Sequence, residues 1–254
     1  MTILILGGTG EARELAAALV DTGVEAISSL AGRVSRPALP AGRVRIGGFG
    51  GVDGLVGYLR AGTITAVVDA THPFAAQISA NAAAATELAG VPLLRLERPG
   101  WRDHPLAGSW TWVGDAAAAR AAADTARRPF LTTGRQSLGS FLPWADREAI
   151  VRVVDPPEFT PPPNWTVITS RGPYTFDDER QLMIDHSVDV LLSKDSGGFR
   201  TQAKLDAAAD VAVPVVIISR PAPIPGVPRV DQVTAAVDWV RVRGAHRAPP
   251  GGLR

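Results

Sequence analysis

Ile3-Leu4-Ile5-Leu6-Gly7-Gly8-Thr9-Gly10-Glu11-Ala12-Arg13 stands near the start of the chain and carries the pattern of a strand, a tight turn and a helix. Its unbroken apolar run, Ile3 to Leu6, is the pattern of a strand covered on both faces, as in a parallel sheet. The alanine- and leucine-rich segment after Gly10 predicts a helix starting near Glu11. Between them the glycines predict a tight turn. Gly10 lets the backbone approach a ligand closely, and the helix start offers N–H groups and a positive dipole end. Together these make an anion site, most often for a pyrophosphate, with Gly8, Thr9, Gly10 and Glu11 as its contacts. The match to G-x-G-x-x-G is partial, because Arg13 stands where the third glycine would be. Glycines also serve strand–helix turns that bind nothing, and both readings stand.

The second predicted strand, Glu25 to Leu30, narrows the ligand. A site for NAD usually places Asp or Glu about 20 residues on, bonded to the ribose 2′-OH. Here the strand ends in Ser28-Ser29-Leu30, followed by Ala31-Gly32-Arg33. Hydroxyls and a guanidinium suit a 2′-phosphate, and no carboxylate repels it. NADP(H) is therefore expected rather than NAD(H). The competing reading leaves Arg33 as a solvated loop cation.

Strand and helix patterns alternate along the rest of the chain. Strands are predicted at 44–46, 64–69, 92–96, 110–113, 129–132, 149–154, 166–169, 188–192 and 215–218. Helices are predicted near 52–60, 73–89, 115–126 (with Asp115 as N-cap), 176–186, from Gly198 to about 209, and 233–241. The proline-rich 156–163 reads as loop. This is an α/β chain of two Rossmann-like parallel-sheet domains, residues 1–127 and 128–243, with a flexible tail at 244–254. Polar clusters fall at strand carboxyl ends, where open parallel sheets bind ligands. They predict a cleft between the domains, cofactor on the first and substrate reached from the second.

Composition limits the chemistry. The chain has 254 residues, 46% hydrophobic and 20% charged, with a net charge of +1. That balance argues against a nucleic-acid partner. Apolar runs fall short of the ~20 residues of a membrane helix, and no signal-peptide pattern is present, so a cytoplasmic protein without membrane association is expected, as a monomer or small homo-oligomer. Cysteine is absent and the four histidines do not pair at ligand spacing, so no metal is expected. Tyr58 and Tyr174 lack a lysine four residues on, as a short-chain dehydrogenase would need. A Gly-Lys P-loop pair and a G-x-S-x-G elbow are absent. Of 26 basic residues only Lys194 and Lys204 are lysines. Either a compact ammonium is required there, or the two are chance survivors.

Five blocks occur in order: Ile5 to Ala12; Val68-Asp69-Ala70-Thr71-His72-Pro73-Phe74-Ala75; Thr132-Thr133-Gly134-Arg135; Ser170-Arg171-Gly172-Pro173; and Ser193-Lys194-Asp195-Ser196-Gly197-Gly198. On these the chain, over residues 1 to about 221, resembles the precorrin-6A reductase family of cobalamin biosynthesis. The resemblance implies two Rossmann-like halves with strand exchange between them, NADPH as cofactor, and an anionic tetrapyrrole as substrate. It implies hydride transfer to a ring double bond, with Thr71 and His72 beside the nicotinamide ribose, where His72 lines the cofactor or donates to a substrate carboxylate. Arg135, Arg171, Lys194 and Lys204 would meet the substrate carboxylates, the competing reading being solvated surface charge; Ser196 and Gly197 would line the substrate, Gly197 letting the backbone approach the ring; and Lys194 and Asp195 would act in catalysis. For the proton, Asp195 and water are both candidates. His72 reads alternatively as a helix-start residue before Pro73, and Asp69 as a buried cap or a catalytic group. Two other classes stay open: a non-catalytic NADP(H) sensor and a two-domain sugar-nucleotide transferase.

Overall fold

The run Thr2–Leu6 forms β1, and every residue in it is buried. Ile3 and Ile5 point into one core cluster and Leu4 and Leu6 into another, one on each face of the sheet. That two-residue alternation with apolar side chains on both faces is why the strand shows no polar period. The computed structural model describes residues 1–32 and 38–245. The chain divides into two units, Met1–Arg98 with Ala222–Arg254, and Pro99–Pro221.

In the first unit β1 is followed by α1 (Gly10–Asp21), β2 (Glu25–Leu30), β3 (Arg43–Ile46), α2 (Gly51–Ala61), β4 (Ile64–Asp69), α3 (Ala76–Ala89) and β5 (Leu93–Leu96). The second unit holds β6 (Thr111–Val113), α4 (Ala116–Ala122), β7 (Pro129–Thr132), a 3₁₀ segment (Arg135–Trp144), β8 (Ile150–Val153) and β9 (Thr166–Thr169). It continues with α5 (Phe176–Asp185), β10 (Val190–Lys194), α6 (Ala203–Asp210) and β11 (Val215–Ile218). The chain then returns to the first unit with β12 (Arg229–Val230) and α7 (Val233–Ala245).

Each unit carries one six-stranded sheet with parallel pairing throughout, in the orders β12-β5-β4-β1-β2-β3 and β6-β11-β10-β7-β8-β9. Both are the doubly wound order, reversing direction between β1 and β4 in the first and between β7 and β10 in the second. Strand for strand, β7 stands where β1 does, β8 where β2 does, β9 where β3 does and β10 where β4 does. The two-domain α/β expectation holds.

The expected boundary near residue 127 does not hold. β6 precedes that point but pairs with β11, Val216 opposite Thr111. β12 follows the second unit but pairs with β5, Arg229 opposite Arg95. Ala236, Val237 and Val240 of α7 share a core cluster with Leu15, Ala16 and Leu19 of α1. The first sheet thus takes its outer strand from beyond the second unit, whereas β6–β11 of the second sheet lie in one continuous stretch of chain. α7 continues to Ala245 rather than stopping at 241, and residues 246–254, most of the expected tail, lie outside the described residues.

Three local expectations change. α3 starts at Ala76 and not at Pro73, because Ala75 N–H bonds the His72 carbonyl in a preceding turn, and Pro73 disfavours a helical His72. The helix-start reading of His72 is therefore corrected. Asp115 caps α4 as expected, accepting from Ala118 N–H at 2.8 Å. That helix ends early, at Ala122, where Arg147 captures the carbonyls of Ala123, Asp124 and Ala126. The 3₁₀ segment was not anticipated. Its start is fixed by Ser137 Oγ donating to the carbonyls of Thr133 and Gly134.

Candidate active site

Ligands of a doubly wound sheet sit beyond the strand carboxyl ends at the switch point. In the first unit that point lies between β1 and β4. Leaving β1, Gly7 N–H donates to the Ser29 carbonyl at 2.9 Å. Gly8 follows at φ 116°, a conformation that favours glycine, and a Cβ there would meet nothing within 4 Å. Thr9 caps α1: its Oγ1 accepts from Ala12 N–H at 3.1 Å and donates to the Ala70 carbonyl at 2.7 Å. One hydroxyl thereby fastens the β1 turn to the β4 turn. The N–H groups of Gly10 and Glu11 have no intrahelical acceptor and sit at the positive end of the dipole. The Glu11 carboxylate pairs with Arg98 at 2.9 Å. The part of Glu11 that suits an anion is therefore its backbone.

Asp69, buried at the end of β4, organises the next turn. Its Oδ1 accepts from Thr71 N–H at 3.1 Å and from Thr71 Oγ1 and Arg95 Nη1 at 2.7 Å each. Arg95 Nη1 also reaches Thr71 Oγ1 at 3.0 Å. The geometry supports the capping reading of Asp69, with the turn and not a helix as the thing capped. It also commits the Thr71 hydroxyl inward. His72 is half-buried, and its Nδ1 accepts from Phe74 N–H at 3.2 Å. The neutral ring then carries its proton on Nε2.

At the end of β2, Ser28 is buried and its Oγ lacks a hydrogen-bond partner. Ser29 Oγ accepts from Arg45 of β3 at 2.8 Å. Arg33 lies outside the described residues.

The second unit repeats the arrangement with different chemistry. After β7, Thr133 is buried with an unpartnered Oγ1, and Gly134 takes φ 80°. Arg135 is half-buried and faces Glu158 at 3.6 Å and the Pro156 carbonyl at 3.4 Å. After β9, the Arg171 side chain is exposed. Its loop is anchored by Tyr174, whose hydroxyl donates to the Ser170 carbonyl at 3.0 Å. Tyr174 in turn stacks under Arg152 at 3.8 Å, and Arg152 pairs with buried Glu179 of α5.

Lys194 is the last residue of β10, paired beside Ile218. Burial alone pushes its ammonium below the ordinary lysine value. Asp195 is buried immediately after it. Its Oδ1 accepts from Trp101 N–H at 2.9 Å, its Oδ2 lies 3.5 Å from Arg220 Nε, and its carbonyl accepts from the same Nε at 2.9 Å. Arg220 also donates to the Pro99 carbonyl at 3.2 Å. Gly197 fits this clasp closely: a Cβ there would overlap the Pro99 carbonyl oxygen and the Arg220 guanidinium. Gly100 is similarly confined, its would-be Cβ 2.7 Å from Asp195 Oδ2. Asp195 is thus an acceptor that holds the Lys194 loop in place, which argues against the proton-donor reading. Ser196 is half-buried, its N–H 2.6 Å from the Lys194 carbonyl. Phe199, just past Gly198, presents an exposed ring. Lys204 is buried on α6, its Nζ donating to the Thr201 carbonyl at 2.6 Å and lying 4.8 Å from the Trp101 ring centroid. It does not stand in the row of strand-end loops.

Sequence reasoning missed Arg45, Arg95, Arg152 and Arg220. For two of them a signal existed. Arg95 interrupts Leu93-Leu94-Arg95-Leu96 and Arg152 interrupts Ile150-Val151-Arg152-Val153, and a cation inside a buried strand requires a carboxylate partner. Among the described residues no group of three or more His, Asp or Glu is placed to hold a metal ion. Among them, too, no helix is long and apolar enough to cross a membrane.

Comparison with known proteins finds relatives of this chain over nearly its whole length. The model of the family described as "Precorrin-6x reductase CbiJ/CobK" matches residues 2–241. The precorrin-6A reductase of Rhodococcus erythropolis is 52% identical over 243 residues, covering 94% of this chain and 96% of that protein. That of Rhodobacter capsulatus is 42% identical over 254 residues, covering 99% of each. A solved structure titled "CobK precorrin-6A reductase" superposes with a TM-score of 0.88 at 41% identity, covering all of both chains. With its pair of parallel sheets, this chain belongs to the precorrin-6x reductase family.

Proposed function

We propose that this protein is the NADPH-dependent precorrin-6A reductase of cobalamin biosynthesis, transferring a hydride to a double bond of the macrocycle. The observation that carries the reading is full-length similarity to precorrin-6A reductases joined to two doubly wound sheets whose switch-point loops differ in kind. The first unit offers backbone amides and an open glycine, which suit a pyrophosphate. The second offers cations, which suit the carboxylates of an anionic tetrapyrrole.

The first unit fits the cofactor on two grounds. Gly8 leaves open space where a Cβ would stand. Buried Ser28 carries an unpartnered hydroxyl at the end of β2, with no acid in the ribose position. In this reading Gly8, Thr9, Gly10 and the Glu11 backbone hold the pyrophosphate, and Ser28 and Ser29 lie toward the 2′-phosphate. The backbone of Thr71 and the Nε2–H of His72 line the nicotinamide side. Bound NADPH supplies the hydride from C4 of its nicotinamide.

The second unit orients the acceptor. β10, β7, β8 and β9 are neighbours, so the Lys194 and Arg171 loops lie three strand spacings apart, about 14 Å, with Arg135 between them. A row of that span suits carboxylates spread around a macrocycle rim. Lys194 holds one carboxylate or steadies charge that develops on the ring as hydride arrives. Ser196 and Gly197 line the same loop, and the Phe199 ring suits the flat apolar face of the macrocycle. With Asp195 engaged as an acceptor, the proton for the neighbouring atom falls to water. Lys204, being buried, is left out of this set.

The test is direct: purified protein with precorrin-6A and NADPH should oxidise one NADPH per macrocycle reduced, followed by loss of nicotinamide absorbance. No oxidation with authentic substrate overturns the reading. Neither the sensor nor the sugar-nucleotide transferase reading has an observation in its favour.

A further inference from the structure

We infer that Arg45 is the residue that reads the dinucleotide 2′-phosphate and so selects NADPH over NADH. The inference rests on the cofactor reading above. Arg45 lies on β3 opposite Ser29 of β2. Its Nη1 donates to Ser29 Oγ at 2.8 Å and to the Gly47 carbonyl at 2.9 Å, and its Nη2 donates to the Gly48 carbonyl at 3.0 Å. Its guanidinium carbon sits 3.9 Å from the Phe49 ring centroid and 5.2 Å from that of Tyr58. The two rings meet edge to face at 5.2 Å.

Every one of these partners is electrically neutral. Among the described residues no carboxylate pairs with Arg45, unlike Arg95 and Arg98 in the same unit. A guanidinium fixed by carbonyls, a hydroxyl and aromatic faces keeps its full charge for an incoming anion and is already ordered when that anion arrives. Its place is where a dinucleotide fold decides between a 2′-OH and a 2′-phosphate.

The loop that follows strengthens the assignment. Gly47-Gly48-Phe49-Gly50-Gly51 leads from β3 into α2. Gly47, Gly50 and Gly51 take positive φ, which accounts for them. Gly48 does not, and a Cβ there would meet nothing within 4 Å. Neither its conformation nor the packing of the protein requires glycine at 48, whereas close approach by a ligand would.

The experiment is titration of wild type, Arg45→Ala and Arg45→Lys with NADPH and with NADH, followed by calorimetry, with thermal unfolding of each variant alongside. Wild type should prefer NADPH. Arg45→Ala should weaken NADPH binding roughly tenfold to a hundredfold and leave NADH unchanged. Arg45→Lys, which keeps charge but loses the fork and the ring stacking, should fall between. Unchanged NADPH affinity in a folded Arg45→Ala overturns the inference and leaves Arg45 as a clasp for the β3 turn. Equal loss of NADPH and NADH also overturns it. Failure of the underlying cofactor reading is distinguishable, because wild type itself would then bind NADPH no better than NADH, or bind neither.

Discussion

At the scale of single residues, the two neighbours Lys194 and Asp195 divide the work of one loop. Lys194 is held partly out of water, and desolvation lowers its pKa from 10.5. The sign of the consequence is fixed. As pH rises through the lowered value, the ammonium is lost earlier than in an exposed lysine, so kcat/KM should fall along an alkaline limb that begins below pH 10.5. Lys194→Met should lack that limb. Since the unfolded chain binds the proton more tightly, the stability linked to Lys194 rises with pH between its lowered value and 10.5. Lys194→Ala should lower kcat/KM by roughly tenfold to a thousandfold, with NADPH affinity unchanged by titration. Asp195 gives the opposite expectation. Asp195→Asn keeps an oxygen to accept from Trp101 N–H and loses the charge facing Arg220. Its kcat should drop by about tenfold or less, with the shape of the pH profile retained. A loss of about a thousandfold with disappearance of a pH limb would identify Asp195 as the acid instead.

Elements are positioned by buried ion pairs that run from strand to helix or from strand to turn. Arg152 on β8 pairs with Glu179 on α5 and lies between the rings of Tyr174 and Phe130, at 3.8 and 5.0 Å from their centroids. Through Tyr174 this sets the loop that carries Arg171. Removing one partner strands the other charge in the core. Glu179→Ala should therefore cost about 3–5 kcal/mol, read as a lower midpoint in urea. The double variant Arg152→Met with Glu179→Ala should recover much of that loss. A single variant as stable as wild type would mean that water already reaches the pair. In the first unit, Arg95 on β5 does the same for the Thr71–His72 turn through Asp69.

For the whole molecule, the unusual feature is that the first sheet is completed by β12, a strand that follows the whole of the second unit in sequence. A chain ending at Pro221 would lose β12 and α7 and uncover Leu15, Ala16 and Leu19. Loss of the buried Ala236, Val237 and Val240 should remove about 4–6 kcal/mol of apolar burial from the first unit. We expect that truncated chain to bind a hydrophobic dye and to lose NADPH affinity. Wild-type affinity in the truncated protein would show that β12 and α7 are dispensable to the nucleotide half.

The α/β class, most strands within a residue or two, and the clusters at strand ends are legible in the sequence. Period, apolar runs and glycine turns are local signals, and Asp115 caps the helix it precedes, as read. What each cluster touches comes from the fold. The domain boundary failed at 127 because β6 and β12 are too short to announce their partners, and pairing between strands is a long-range choice. From sequence, Asp195 and water are both candidates for the proton, and only the fold brings Trp101 and Arg220 onto Asp195, across 94 and 25 residues of chain. Lys204 looked like a substrate cation and is buried, because the face a helix turns inward depends on what it packs against. Arg45 passed unnoticed on an edge strand, because a cation is ordinary there until the neutral partners around it are seen.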